Sequence, residues 1–135
     1  MIQVNYLVIV VATVLAFLFS AGYYILLNDR VMALRGVKPD KQGKYKKSIS
    51  VEKLIIEFVR TFILGLVIAY AVAILNLLYF NQAVLLAVWL WIGFPVVLLV
   101  GSVIHENFSP RLAIVHAGDW LVKLIIFTSV LTLWG

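Results

Sequence analysis

The chain has no cysteine. That excludes disulfides, thiol redox chemistry, thiolate metal sites and S-palmitoylation. Charge is also scarce. Asp, Glu, Lys and Arg together make up 13% of the 135 residues, where a soluble domain carries about 25%. Acid is scarcer still, at six Asp and Glu against eleven Lys and Arg. No Gly-rich phosphate loop, nucleophile motif or zinc motif occurs, so no catalytic residues are expected. Internal repeats are absent as well.

Apolar residues are abundant. They make up 64% of the chain, and the mean hydropathy is +1.10. A soluble fold needs polar surface to cover its core, and this composition does not supply it. Disorder, a disulfide scaffold and an ordinary cytosolic enzyme are excluded, and an integral membrane protein is implied. A bilayer core about 30 Å thick needs about 20 helical residues. Four segments meet this length, at about 6–27, 54–80, 83–104 and 112–134. Lipid offers the backbone no hydrogen-bond partners, so spans of this length must be helices. The fold class is therefore all-α, a single domain of four transmembrane helices. The first span has no basic n-region and is too long for the apolar core of a signal peptide.

Punctuation fits these boundaries. Ser50 with Glu52 suits the start of the second span, and Ser109-Pro110 reads as N-cap and first turn of the fourth. Asn81-Gln82 is expected to form a tight turn that makes the second and third spans antiparallel neighbours. Gly36, Pro39 and Gly43 break up residues 28–53, so no single helix should cross that loop. Pro95 is expected to kink the third span.

The basic residues are one-sided. Arg30, Arg35, Lys38, Lys41, Lys44, Lys46, Lys47 and Lys53 lie in or next to the long loop, and Arg111 precedes the fourth span. The turns at the opposite end carry none. The positive-inside rule then gives N-out, C-out, with the loop in the cytoplasm. Arg35, Lys44, Lys46 and Lys47 are expected to contact anionic lipid headgroups of the inner leaflet, with Tyr45 among them. Nucleic acid is not an expected partner. Tyr6, Tyr79 and Trp134 suit an outer aromatic belt, and Tyr23, Tyr24, Phe108 and Trp120 an inner one. Trp89 and Trp91 lie deeper and should pack on a neighbouring helix or face acyl chains.

An ionisable residue within a span costs roughly 2.5–3.5 kcal/mol on insertion scales and so needs a partner or water. Glu57, Arg60, His116, Asp119 and Lys123 are of this kind. His116, Asp119 and Lys123 follow i, i+3, i+7 spacing on one stripe, and Asp119 and Lys123 form an acid-then-base i, i+4 pair. Arg60 lies about 9 Å into its span and Asp119 about 10 Å into its own. The expected cluster is an Arg60–Asp119 pair between helices, with Lys123 closing on Asp119. Tyr23, Tyr24 and Thr61 would satisfy the remaining polar atoms. Such a network serves either as a solute, ion or proton site or as a register lock. His105 and His116 follow no haem spacing, and no metal or cofactor is expected.

Ala21-Gly22-Tyr23-Tyr24, Trp91-Ile92-Gly93-Phe94, His116-Ala117-Gly118-Asp119-Trp120 and the closing Leu133-Trp134 resemble the domain of unknown function 1761 family of small bacterial membrane proteins. The resemblance spans nearly the whole chain. It implies a four-helix protein of a bacterial inner membrane and brings no established activity. Two functions stand at this point. One is a transporter or channel-like protein using the buried cluster. The other is a structural or accessory subunit in which the cluster only locks helix register. Four spans bury little by themselves, which points to a homo-oligomer or a larger membrane complex.

Overall fold

The computed structural model describes residues 3–46 and 50–135. They form α1 (Tyr6–Leu26), α2 (Asn28–Leu34), α3 (Val51–Leu75), α4 (Phe80–Trp91), α5 (Val97–His105) and α6 (Pro110–Leu133). A π-helical turn, Ile92–Val96, joins α4 to α5. Among the described residues there is no strand. Four helices are long and apolar enough to cross a membrane: Tyr6–Leu26, Val51–Leu75, Phe80–His105 and Pro110–Leu133.

Local chemistry sets the helix ends. The Asn5 side chain accepts hydrogen bonds from the Leu7 and Val8 amides. Ser50 caps α3 through the Lys53 amide, and Ser109 caps α6 through the Leu112 amide with Pro110 in the first turn. These side chains satisfy amides that have no intrahelical partner. Within the long connection, α2 uses its first seven residues and stops before Gly36, whose φ of +79° an L side chain rarely adopts.

Two expectations are corrected. The turn between the second and third spans is not at Asn81-Gln82. Helix α3 ends at Leu75, and Asn76 takes a left-handed conformation with φ of 52°. The Leu77 and Asn76 amides bond back to the carbonyls of Val72 and Ala73. This is a Schellman ending, in which asparagine tolerates the conformation that most residues avoid. Asn81 and Gln82 instead lie in the first turn of α4, where Gln82 accepts from the Leu78 and Tyr79 amides. The second correction concerns neighbours. Helix α4 packs on α6 rather than on α3, to which it is joined. Its buried residues are Ala83 and Ala87. They are four apart and form a small face that allows close approach of another helix.

Pro95 acts as a widened turn rather than a simple kink. It has no amide hydrogen, and its ring crowds the carbonyl four residues back. The π-helical turn absorbs both demands, and Pro95 itself is buried. Before this turn Trp91 reaches a neighbouring helix, while Trp89 is 66% exposed.

Helix α6 is the hub and packs against α1, α3 and α4, while α1 also packs on α3. The apolar core fills the end of the bundle away from the basic loop. Val8, Ile9, Ala12 and Ala16 of α1 meet Ile68, Ala69 and Val72 of α3 and Leu124, Phe127 and Leu131 of α6. Gly65 fixes the α3–α6 approach. A Cβ there would lie 2.6 Å from Phe127 Cε1, and that ring is fully buried with nowhere to retreat. Overpacking of this kind costs about 1–3 kcal/mol. Gly65→Ala is expected to lower the thermal midpoint in detergent. Gly22→Ala, where nothing lies within 4 Å of the added carbon, should leave it unchanged.

Candidate functional site

At the end that carries the basic loop, α1, α2, α3 and α6 enclose a cavity of about 480 Å³. Its lining brings together Tyr24, Glu57, Arg60, Thr61, His116, Asp119 and Lys123. Tyr23 was expected in this group and lies outside the lining. Ser20, Arg35 and Lys53 join it.

The deepest part is the Asp119–Lys123 pair. The two residues are one helical turn apart, so α6 itself sets the ammonium over the carboxylate, with Lys123 Nζ 3.1 Å from Asp119 Oδ2. The side chains are only 10% and 4% exposed. Ser20 of α1 donates to the other carboxylate oxygen at 2.5 Å. The Lys123 ammonium also lies 4.6 Å from the centroid of the Trp120 ring, within the range of a cation–π attraction. A carboxylate and an ammonium inside an apolar span therefore have three compensating contacts between them.

Against the cavity wall, the Tyr24 hydroxyl lies 2.5 Å from His116 Nδ1. The Phe108 ring stacks on the imidazole with centroids 5.9 Å apart. Just behind, two side chains from different helices address the backbone of α6. Tyr23 Oη donates to the Val115 carbonyl at 2.7 Å, and Trp91 Nε1 donates to the Ala117 carbonyl at 2.8 Å. Gly118 makes room for this, since a Cβ there would sit 3.0 Å from the Tyr23 oxygen.

The expected Arg60–Asp119 pair does not form. Arg60 donates instead to Glu57 on its own helix, and the two side chains are 63% and 47% exposed. Helical geometry gives the reason. The buried stripe of α3 runs Thr61, Gly65, Ile68, Ala69 and Val72. Arg60 lies one residue off that stripe, about 100° around the helix. Thr61 does not serve Asp119 either, because its hydroxyl donates to the Glu57 carbonyl at 2.6 Å. Nor do the tyrosine hydroxyls reach Asp119. Ser20 fills that role. Its signal in the sequence is a small hydroxyl on the Tyr23–Tyr24 stripe of α1 at the depth of Asp119. Lys44 and Lys46 are exposed, and Lys47 lies outside the described residues.

Among the described residues, no three His, Asp or Glu side chains converge as a metal site would require. The Tyr23 and Trp91 bonds join three helices at one level. Interhelical bonds of this kind in membranes average about 0.6 kcal/mol. Tyr23→Phe and Trp91→Phe are each expected to lower the detergent melting midpoint by a few degrees. Together they should lower it by about the sum, because the two bonds end on different carbonyls.

No curated protein and no solved structure matches the chain. Tyr23, Trp91 and Ala117-Gly118, which meet at this three-helix junction, lie within the stretches that resemble a known family, and the family's pattern covers nearly the whole chain. The chain belongs, over residues 7–132, to the family described as protein of unknown function, DUF1761.

Proposed function

We propose that this is a small multi-pass protein of a bacterial inner membrane. It binds an anionic or zwitterionic solute in a cavity open to the cytoplasm, in the manner of a transporter. One observation carries the reading: a buried Asp119–Lys123 pair forms the floor of a cavity that also reaches exposed Arg35 and Lys53. Charge retained within a span and facing a cavity is the usual mark of a solute or ion site. A continuous pore is disfavoured, because the opposite half of the bundle is filled by Val8, Ile9, Ala12 and Phe127, each at most 1% exposed.

The sidedness follows from charge. Nine of the eleven Lys and Arg residues lie in or beside the loop and at Arg111, so that end faces the cytoplasm and both chain ends face outward. Exposed Arg35, Lys44 and Lys46 then meet anionic headgroups. The lack of cysteine makes this directly testable. Single Lys41→Cys and Asn81→Cys variants in right-side-out membranes are expected to react oppositely with an impermeant maleimide. Asn81→Cys should label at once and Lys41→Cys only after lysis.

A second reading, an accessory subunit with a register lock, is favoured by the completeness of the Asp119 contacts. Asp119→Asn alone does not separate the two, because it strands the Lys123 ammonium and costs about 3–5 kcal/mol either way. The double variant Asp119→Asn/Lys123→Met does separate them. It removes both charges and is expected to melt close to the parent. If the cavity binds solute, a panel of small anions and zwitterions raises the parent's melting midpoint saturably and leaves that of the double variant unmoved. A parent that responds to none of them supports the lock.

A further inference from the structure

Two acid–base pairs line the cavity, Glu57–Arg60 on α3 and Asp119–Lys123 on α6. They differ in burial. Arg60 and Glu57 are largely exposed, so solvent weakens what their charges demand of a ligand. The side chains of Asp119 and Lys123 are 4% and 10% exposed. Whatever displaces one of these two must therefore answer for the other.

That condition sorts ligands by charge. An anion pairs with Lys123 only by drawing the ammonium from Asp119, whose carboxylate is then left with Ser20 alone. A cation pairs with Asp119 only by displacing the ammonium, which is then left with the Trp120 ring. Either way a nearly buried charge loses its counter-ion, and that loss is the dominant cost at such a site. A zwitterion brings both charges. Its ammonium takes the place of Lys123 on Asp119, and its carboxylate receives the freed Lys123 ammonium. No charge is stranded, and the net charge of the floor stays at zero.

The surroundings suit this exchange. Lys123 bonds Asp119 Oδ2 and Ser20 bonds Oδ1, so the carboxylate keeps its orientation while Oδ2 changes partner. The ammonium sits on a flexible four-carbon stem and is the half of the pair able to move. Residues one turn apart on a helix lie about 5–6 Å from each other at Cβ, so the two charges of the ligand must be close together, as on one carbon. Phe17 of α1 with Leu54 and Ile56 of α3 gives the lining an apolar part. We propose that the cavity binds an α-amino acid with an apolar side chain, by exchange of partners with the Asp119–Lys123 pair. This inference rests on the solute-binding reading above and names the class of solute.

The test follows the melting midpoint of the full chain in detergent against the concentration of L-leucine. Two compounds keep its skeleton and drop one charge: 4-methylpentanoate lacks the ammonium, and 3-methylbutylamine lacks the carboxylate. Leucine is expected to stabilise saturably, with each of the other two at least about tenfold weaker. Single variants should reverse that order. Asp119→Asn strands the Lys123 ammonium, so 4-methylpentanoate should now bind more tightly than leucine. Lys123→Met strands the Asp119 carboxylate, so 3-methylbutylamine should. A purely structural pair would not change which ligand is preferred. Asp119→Asn/Lys123→Met should respond to none of the three. Melting without ligand reports whether each variant folds, and if a single variant does not, the parent's ranking of the three compounds decides.

Binding of 4-methylpentanoate as tightly as leucine by the parent, lost in the double variant, would overturn the exchange while leaving the solute-binding reading intact. So would a parent that responds to other small anions but not to leucine. Binding of 3-methylbutylamine as tightly as leucine would overturn both, because that reading requires an anionic group. Glycine binding as tightly as leucine would overturn the apolar side chain. No saturable response to any of these compounds would overturn both this inference and the reading on which it rests.

Discussion

An ammonium and a carboxylate held one helical turn apart inside an apolar helix constrain everything around them. Neither charge is tolerated by lipid alone, and neither is satisfied fully by the other. The rest must come from neighbouring helices, and it does. Ser20 of α1 completes the carboxylate, and the Trp120 ring covers the ammonium. This requirement helps explain why α6, with the lowest hydropathy of the four spans, sits at the centre of the bundle. A helix that carries its own charges has to be the one the others surround.

The two ends of the bundle then divide their work. Away from the basic loop, small residues on α1, Ala12 and Ala16, and Gly65 on α3 let helices approach until Phe127 is enclosed. In lipid this contact is van der Waals packing rather than hydrophobic transfer, because acyl chains are as apolar as leucine. Toward the loop, the same helices leave a polar cavity between them. At the level of the cavity stand Tyr23 and Trp91, which bind the backbone of α6 from two different helices. They lock α6 without using its side chains, so His116, Asp119 and Lys123 remain turned to the cavity.

Much of this was legible in the sequence, and what was not has a physical reason. Four long apolar helices and the caps at Ser50 and Ser109-Pro110 depend on local composition and spacing, and the structure has them, although the second of these helices ends at Leu75 rather than near residue 80. The Asp119–Lys123 pair is likewise a matter of spacing within one helix. Contacts between helices are different. Depth placed Arg60 level with Asp119, but depth says nothing about rotation, and rotation turned Arg60 back to Glu57. The turn at Asn76 escaped for a related reason. A left-handed asparagine looks like any other polar residue near a helix end, and Asn81-Gln82 looked more like a turn. That α4 would leave α3 for α6 was written only in two alanines, a pattern that names a small face and not its partner.

The π-helical turn at Ile92–Val96 has a consequence for the third span as a whole. One extra residue per turn offsets the face that follows from the face that precedes it. Before the offset, Ala83, Ala87 and Trp91 are seated on the bundle, while α5 beyond it buries no residue at all. The span is therefore seated closely before the turn and packs more loosely on α6 after it. In a bilayer, the half after the turn would present most of its surface to acyl chains, and the half before it would present Ala83, Ala87 and Trp91 to α6.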